Sequence, residues 1–247
     1  MKIQLVSDLH MEFWKKDRHM EVFDYTDADV LVVAGDLHVG RTNTAKALNK
    51  FAEHYENVVY VAGNHEFYNG CALDDFHLNV APNVHYLDNR KILIGDVTFS
   101  GASLFTNFGD DVLAVCAAER GIADFRRIPD ATPAEYAQRF RDSSEWFKYV
   151  YEEFEGPHVF VSHWLPAMQC VHPRWKSDSY TMLLNKYFAN DLGPWIETLD
   201  NVTWMFGHTH DSVDMKIGNT RMLCNPYGYE GSLDRNVEFK RNLVNEV

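Results

Sequence analysis

Five short stretches of the chain end apolar runs in residues suited to coordination: Asp8-Leu9-His10, Gly35-Asp36, Gly63-Asn64-His65-Glu66, His163 and Gly207-His208-Thr209-His210. Together they offer carboxylate, amide and imidazole donors, a mixed oxygen and nitrogen set that first-row divalent cations accept. The set has more members than one tetrahedral ion can use, which predicts two ions. Taken singly, each stretch has an ordinary explanation. An Asp caps turns, and a His at a strand end is commonly half-buried with a backbone partner. Five in order after five apolar segments is different, because burying so many polar groups without an ion or strong partners is costly.

The segments that must position them are "IQLVS" (3–7), "DVLVVA" (29–34), "NVVYVA" (57–62), "HVFVS" (158–162) and "VTWMF" (202–206). Each is nearly continuous rather than alternating, the pattern of strands covered on both faces. "NTAKALNKFAEHYEN" and "LLNKYFANDLGPWIETL" carry apolar residues at helical spacing. An α/β fold follows, in which parallel-type strands bring their carboxyl ends to one rim, where ligands bind in open α/β sheets. "KILIGDVTFSGASLF" (91–105) and "DMKIGNTRMLCN" (214–225) predict hairpins with tight Gly turns. Residues 1–247 read as one domain with a helical insertion at about 110–155 and no repeat at a short period.

A chain of 247 residues with 46% hydrophobic content can bury a substantial core. Its apolar runs are too short to cross a bilayer and its first residues lack a secretion pattern, so a soluble, cytoplasmic protein with no membrane partner is expected. Cys71, Cys116, Cys170 and Cys224 form no C-x-x-C pair and are expected as reduced core residues. The formal charge of −13 argues against stable nucleic-acid binding, which rests on Lys and Arg displacing counterions. Nothing in the sequence bears on oligomeric state.

The order D-x-H, G-D, G-N-H-E, H, G-H-x-H, spanning residues 8 to 210, resembles the motif set of the calcineurin-like metallophosphoesterases. The resemblance implies a four-layer α/β sandwich of two mixed β-sheets flanked by helices, with two divalent metal ions at the strand ends. It implies Asp8, His10, Asp36 and His210 around one ion, and Asp36, Asn64, His163 and His208 around the other. His65 matches the residue that in this family assists catalysis rather than binding metal. Mn²⁺, Fe²⁺, Zn²⁺ and Ni²⁺ all suit such ligands. The implied chemistry is hydrolysis of a phosphoester: two ions roughly 3.5–4 Å apart acidify a shared water for in-line attack at phosphorus. His65 then protonates the leaving oxygen.

Departures from the family narrow the substrate. Its protein Ser/Thr phosphatases carry G-D-x-x-D-R-G and R-G-N-H-E, whereas here Val39 and Gly40 stand at the Asp and Arg positions and Ala62 precedes G-N-H-E. Without those arginines a diester, with one negative charge, is the expected substrate, small and nucleotide-like. A phosphomonoester, a nucleic-acid polymer and a non-catalytic metal-binding scaffold are the alternatives. The lipid-A-pathway members have G-N-R-D instead. The missing Asp also leaves His65 without the usual orienting partner, with His38 nearby in sequence.

"ADFRRI" (123–128), "VHPRW" (171–175), "GHTHDSVD" (207–214) and "CNPYGY" (224–229) resemble stand-alone metallophosphoesterases of bacteria and their phages. Those proteins often have His-His where this chain has His163-Trp164, and Arg where it has Tyr227. From these stretches Arg126, His172 and Arg174 are candidate substrate contacts, against the alternative of charged residues facing water. Tyr68 and Trp164 are either stacking surfaces for a base or rim packing. His19, His54, His77, His85 and His158 match no motif and are assigned no function.

Overall fold

The structure, a computed structural model, describes residues 1–14 and 22–247; His19 lies outside the described residues. Strands β1 (Lys2–Val6), β2 (Val30–Ala34), β3 (Asn57–Val61) and β4 (Val84–Tyr86) form a parallel ladder in that order. The second sheet holds β5 (Arg90–Ile94), β6 (Val97–Ala102), β7 (His158–Ser162), β8 (Val202–Phe206), β9 (Val213–Ile217) and β10 (Thr220–Cys224), in the order β5-β6-β7-β8-β10-β9. Its four inner strands are parallel, and β5 and β9 pair antiparallel at its edges. The last strand, β11 (Val244–Glu246), returns to the first sheet, antiparallel to β1. Both hairpins expected from the Gly turns form. The five ligand-bearing strands are divided between two mixed sheets, three in the first and two in the second.

Face alternation explains the continuous apolar runs. Val30, Val32, Val59 and Val61 meet Val159, Val161 and Met205 in one cluster between the sheets. Their neighbours Leu31, Val33, Val58, Tyr60, Phe160 and Trp204 belong to the cluster beneath the helices. A strand buried on both faces has no polar side to show. Helix α1 (Arg41–Ala52) contributes Leu48 and Phe51 to the cluster containing Leu31 and Val58. The segment expected to be helical holds α2 (Val112–Gly121), α3 (Asp124–Arg127) and α4 (Pro133–Glu153). The start of α4 is set by Pro133 in its first turn and by the Thr132 hydroxyl, which accepts from Glu135 N at 3.1 Å. Its Phe147 lies 5.0 Å from Phe160 and 5.1 Å from Trp204, covering the second sheet.

Two expectations need correction. The helical reading of 183–199 covers two helices, α5 (Ser179–Phe188) and α6 (Gly193–Ile196). Between them the backbone is drawn out to pair with another segment: Ala189 bridges Leu165, Asp191 bridges Ala167, and Asn190 Nδ2 donates to Phe105 O at 2.7 Å. Tertiary hydrogen bonds outweigh helical propensity there. Cys71, Cys170 and Cys224 are buried as expected, but Cys116 is exposed on α2.

The two sheets are joined at the rim that carries the motifs. Beyond β10, Tyr227 N donates to Ser7 O and Gly228 N to Asp8 O, so the chain leaving the second sheet runs alongside the residues that leave β1. Among the described residues no helix is long and apolar enough to cross a membrane. Because Phe147 fills the space between α4 and two aromatic residues of the sheet, Phe147→Ala is expected to lower unfolding stability by about 3–5 kcal/mol, measured by denaturant titration.

Candidate metal centre

Where the strands stop, the backbone turns through conformations that L-residues seldom adopt. Asp8 (φ 50°), His10 (φ 44°), Asp36 (φ 51°), His208 (φ 69°) and His210 (φ 52°) are all left-handed. Such residues are uncommon and cluster where a fold forces side chains into a site. Two glycines make room. A Cβ on Gly63 would stand 2.2 Å from Asp36 Oδ1, and one on Gly207 would stand 2.6 Å from Ala34 O.

The side chains converge in two groups that share Asp36. In the first, His10 Nε2 and His210 Nε2 face each other at 3.2 Å, His210 Nε2 lies 3.5 Å from Asp8 Oδ1, and His10 Nε2 lies 3.6 Å from Asp36 Oδ2. In the second, His163 Nε2 lies 3.1 Å from His208 Nδ1, 3.3 Å from Asn64 Oδ1 and 3.5 Å from Asp36 Oδ1. All are buried except His210, which is partly exposed.

Hydrogen bonds fix which atoms point inward. His163 Nδ1 lies 2.9 Å from Ala34 O, and a carbonyl can only accept, so that nitrogen carries the proton and Nε2 presents its lone pair. Asn64 Nδ2 donates to Asp124 Oδ1 at 2.9 Å, which turns Oδ1 toward His163. Three acceptors, His163 Nε2, Asn64 Oδ1 and Asp36 Oδ1, therefore face one another, and they repel unless positive charge stands among them. Where no cation stands, a proton on His163 Nε2 meets the same demand: burial opposes protonation, yet the Asp36 carboxylate, its hydrogen bond and Asp8 push the His163 pKa up to about 10. This donor chemistry fits a divalent cation in each group, with Asp36 between them.

Carboxylates outside the candidate ligand set hold those candidates in place. Glu12 Oε1 lies 2.8 Å from His65 Nδ1 and 3.4 Å from His10 Nδ1, so one carboxylate orients both rings. Burial works to raise the Glu12 pKa, but the hydrogen bonds from His10 and His65 hold it down at about 2. Glu12, and not His38, is thus the orienting partner of His65; the other ring nitrogen, Nε2, lies 3.1 Å from Tyr229 Oη. His65 nevertheless lies close to the first group, its donor atom within 4.8 Å of those of His10 and Asp36. Asp124, buried on α3, accepts from Asn64 and from the hydroxyls of Tyr68, Tyr136 and Tyr187. Glu66 accepts from Gly63 N and Leu37 N at 2.7 Å and from Asp36 N at 3.1 Å, tying the ends of β2 and β3 together. Burial and the Asp36 charge push its pKa up to about 8 against those donors.

A cavity of about 440 Å³ opens beside Asp36, Asn64, His208 and His210. A cavity of about 520 Å³, lined in part by β4 and β5, contains none of the candidate ligands. The three expected substrate contacts are not among the residues lining the first cavity. Arg126 is exposed and donates to Arg120 O at 3.3 Å, His172 Nδ1 accepts from Arg174 N, and Arg174 pairs with Asp211 at 3.0 Å. Trp164 is fully buried with its ring 4.6 Å from His208, so it packs behind a ligand; Tyr68 lines the cavity and donates to Asp124 at 2.7 Å. Glu12, Asp124 and Tyr229 went unnoticed in the sequence. The signals were an acid two residues beyond the first motif, and the "ADFRRI" and "CNPYGY" stretches, where the acid and the tyrosine matter rather than the arginine.

Because no Cβ fits at Gly63 without moving Asp36, Gly63→Ala is expected to lose tight divalent-metal binding while remaining folded. Titration calorimetry beside a circular dichroism melt checks both halves.

The sequence pattern of the calcineurin-like phosphoesterases matches residues 1–212. Uncharacterized protein L509 of Acanthamoeba polyphaga mimivirus is 24% identical over 257 residues, covering 92% of this chain and 91% of that protein. Among solved structures the fold is similar to that of the phosphopantetheinyl hydrolase PptH from Mycobacterium tuberculosis, with a TM-score of 0.70, 16% identity, and coverage of 96% of this chain and 95% of that one. It is also similar to TT1561 of Thermus thermophilus, with a TM-score of 0.57, 13% identity, and coverage of 91% and 88%. With two mixed sheets flanked by helices and that pattern running through most of its length, this chain belongs to the calcineurin-like phosphoesterase family.

Proposed function

We propose that the protein hydrolyses a small phosphodiester at a centre of two divalent cations, one held by Asp8, His10, Asp36 and His210 and the other by Asp36, Asn64, His163 and His208. The observation that carries this reading is the Asp36 carboxylate, whose Oδ1 turns to one imidazole group at 3.5 Å and whose Oδ2 turns to the other at 3.6 Å. When bound, the cations supply a water acidified to near-neutral pKa and neutralise the phosphoryl oxygens. The chain's own residues do the rest. Asp36, Asn64 and the imidazoles fix the geometry, and Asp124 and Glu12 keep the amide and the rings in the right orientation. His65, whose Nδ1–H is held by Glu12, offers Nε2 for the proton that the departing oxygen takes as its bond to phosphorus breaks. Burial opposes a charged His65, but the carboxylates of Asp36, Glu12 and Glu66 raise its pKa and keep the proton available.

The diester preference is supported by charge. Among the described residues lining the cavity there is no Lys or Arg, and Val39, Gly40 and Ala62 occupy positions where monoester-cleaving relatives carry Asp and Arg. The test is turnover by protein loaded in turn with Mn²⁺, Fe²⁺, Zn²⁺ and Ni²⁺ on bis-p-nitrophenyl phosphate, p-nitrophenyl phosphate, a 2′,3′-cyclic nucleotide and single-stranded DNA. Diester cleavage is expected; activity on the monoester alone overturns the preference.

Two variants test the roles. Asp36→Asn is expected to reduce bound metal from two ions per chain to fewer than one, read by elemental analysis after gel filtration. His65→Ala is expected to slow diesters with alkoxide leaving groups by about 10²–10⁴-fold, with far smaller loss for p-nitrophenolate, which needs no proton. Glu12→Gln follows the same leaving-group pattern on a smaller scale. Equal losses for both leaving groups would remove the general-acid role.

A further inference from the structure

The cavity beside the candidate ligands changes character along its length. Its lining joins Asp36, Asn64 and His208 to Ile122, Leu165, Val171, Trp175, Tyr180 and Leu184, where the end of α2 faces α5. Trp175 is fixed in place: its Nε1 donates to Asp211 Oδ2 at 2.8 Å, and the Arg174 guanidinium, itself paired with Asp211, lies 4.5 Å from its ring. That pairing occupies the nearby cation. The charged side chain that joins this lining away from the ligands and their Asp124 support is acidic, Asp234.

We propose that this sleeve binds one ester arm of the substrate, and that the arm is uncharged and carries a flat aromatic ring. The inference rests on the phosphodiesterase reading above, since a diester has an arm to place in a space continuous with the metal ligands. Apolar and aromatic walls favour a ring that leaves water on entering, and Trp175 and Tyr180 offer faces for stacking. An anionic arm would lose its hydration beside Asp234 with no cation in return. A volume of about 440 Å³ holds a phosphate and one ring-sized arm. A polymeric strand would need a cationic track that the lining lacks.

Titration calorimetry on protein loaded with Mn²⁺ tests this without depending on turnover, with dimethyl phosphate, methyl phenyl phosphate and methyl 4-carboxyphenyl phosphate as probes. Methyl phenyl phosphate is expected to bind at least tenfold more tightly than dimethyl phosphate, about 1.4 kcal/mol, and the ring carboxylate is expected to erase that gain. Trp175→Ala should bring the phenyl-to-methyl affinity ratio toward one. Leu184→Lys should selectively strengthen binding of the carboxylated probe, a gain that misfolding cannot mimic. Equal affinity for the phenyl and methyl probes, or no penalty for the carboxylate, overturns the sleeve. Turnover of diesters without any arm preference does the same while leaving the hydrolytic reading intact. Tight phenyl binding with no turnover of any diester keeps the sleeve and overturns hydrolysis instead.

Discussion

Every part of this structure answers to one electrostatic problem, two carboxylates sealed from water among imidazole lone pairs and an amide oxygen. Asp8 and Asp36 are buried, and each loses hydration worth several kcal/mol on any realistic accounting. Backbone donors return part of it: His65 N reaches Asp36 Oδ1 at 2.9 Å, and His208 N reaches both oxygens of Asp8 at 3.0 and 3.1 Å. Imidazoles supply more, enough that the Asp36 pKa falls well below the usual carboxylate range although burial opposes it. The acceptors still outnumber the donors. A pair of cations at the two groups would resolve the excess.

Holding it costs backbone strain, and two packed sheets are what can carry that cost. A left-handed non-glycine residue stores on the order of 1–3 kcal/mol, and five of the candidate ligands adopt one. Asp and His tolerate that conformation better than β-branched residues do. Residue types suited to coordination are therefore also those that can turn sharply off a strand. Behind them stand three carboxylates that face no cation, Glu12, Glu66 and Asp124, each bonded to at least two groups that carry or position ligands. Their hydrogen bonds orient the groups that face the candidate metal positions and His65.

The convergence of the candidate ligands was legible in the sequence because they sit next to strands whose composition announces burial, and coordination restricts residue type. The two-sheet division was legible only through family resemblance; five apolar runs read alike whether they share a sheet or not. The break between α5 and α6 was hidden because it arises from pairing of Ala189 and Asp191 with Leu165 and Ala167, contacts that no local pattern encodes. Glu12 and Asp124 were hidden for another reason. Glu12 bonds His65 across 53 residues and Asp124 bonds Asn64 across 60, separations that no local spacing predicts. Arg126 and Arg174 do not line the cavity beside the candidate ligands: Arg126 bonds the Arg120 carbonyl and Arg174 pairs with Asp211.

Charge balance links the missing arginines to the substrate. Counting only the two ligand groups, two divalent cations would carry four positive charges and Asp8 and Asp36 would cancel two, with Glu12, which faces His65, and Glu66 and Asp124 standing behind the ligands and outside this count. Two positive charges then remain for the substrate and the nucleophile. A diester monoanion takes one and leaves one for an anionic nucleophile, so neutrality is reached with no further cation. A monoester dianion consumes both, and an anionic nucleophile must then approach a site with nothing left to attract it. This chain has Gly40 and Ala62 where the resemblance to the family's protein Ser/Thr phosphatases would put arginines. Buried charges interact strongly over a few ångströms, so one missing positive charge here weighs more than the −13 carried by the whole chain, most of it exposed and screened. On the proposed diester reading, the count of charges around phosphorus would set substrate choice in this site, and the apolar cavity beside it would be given over to the arm.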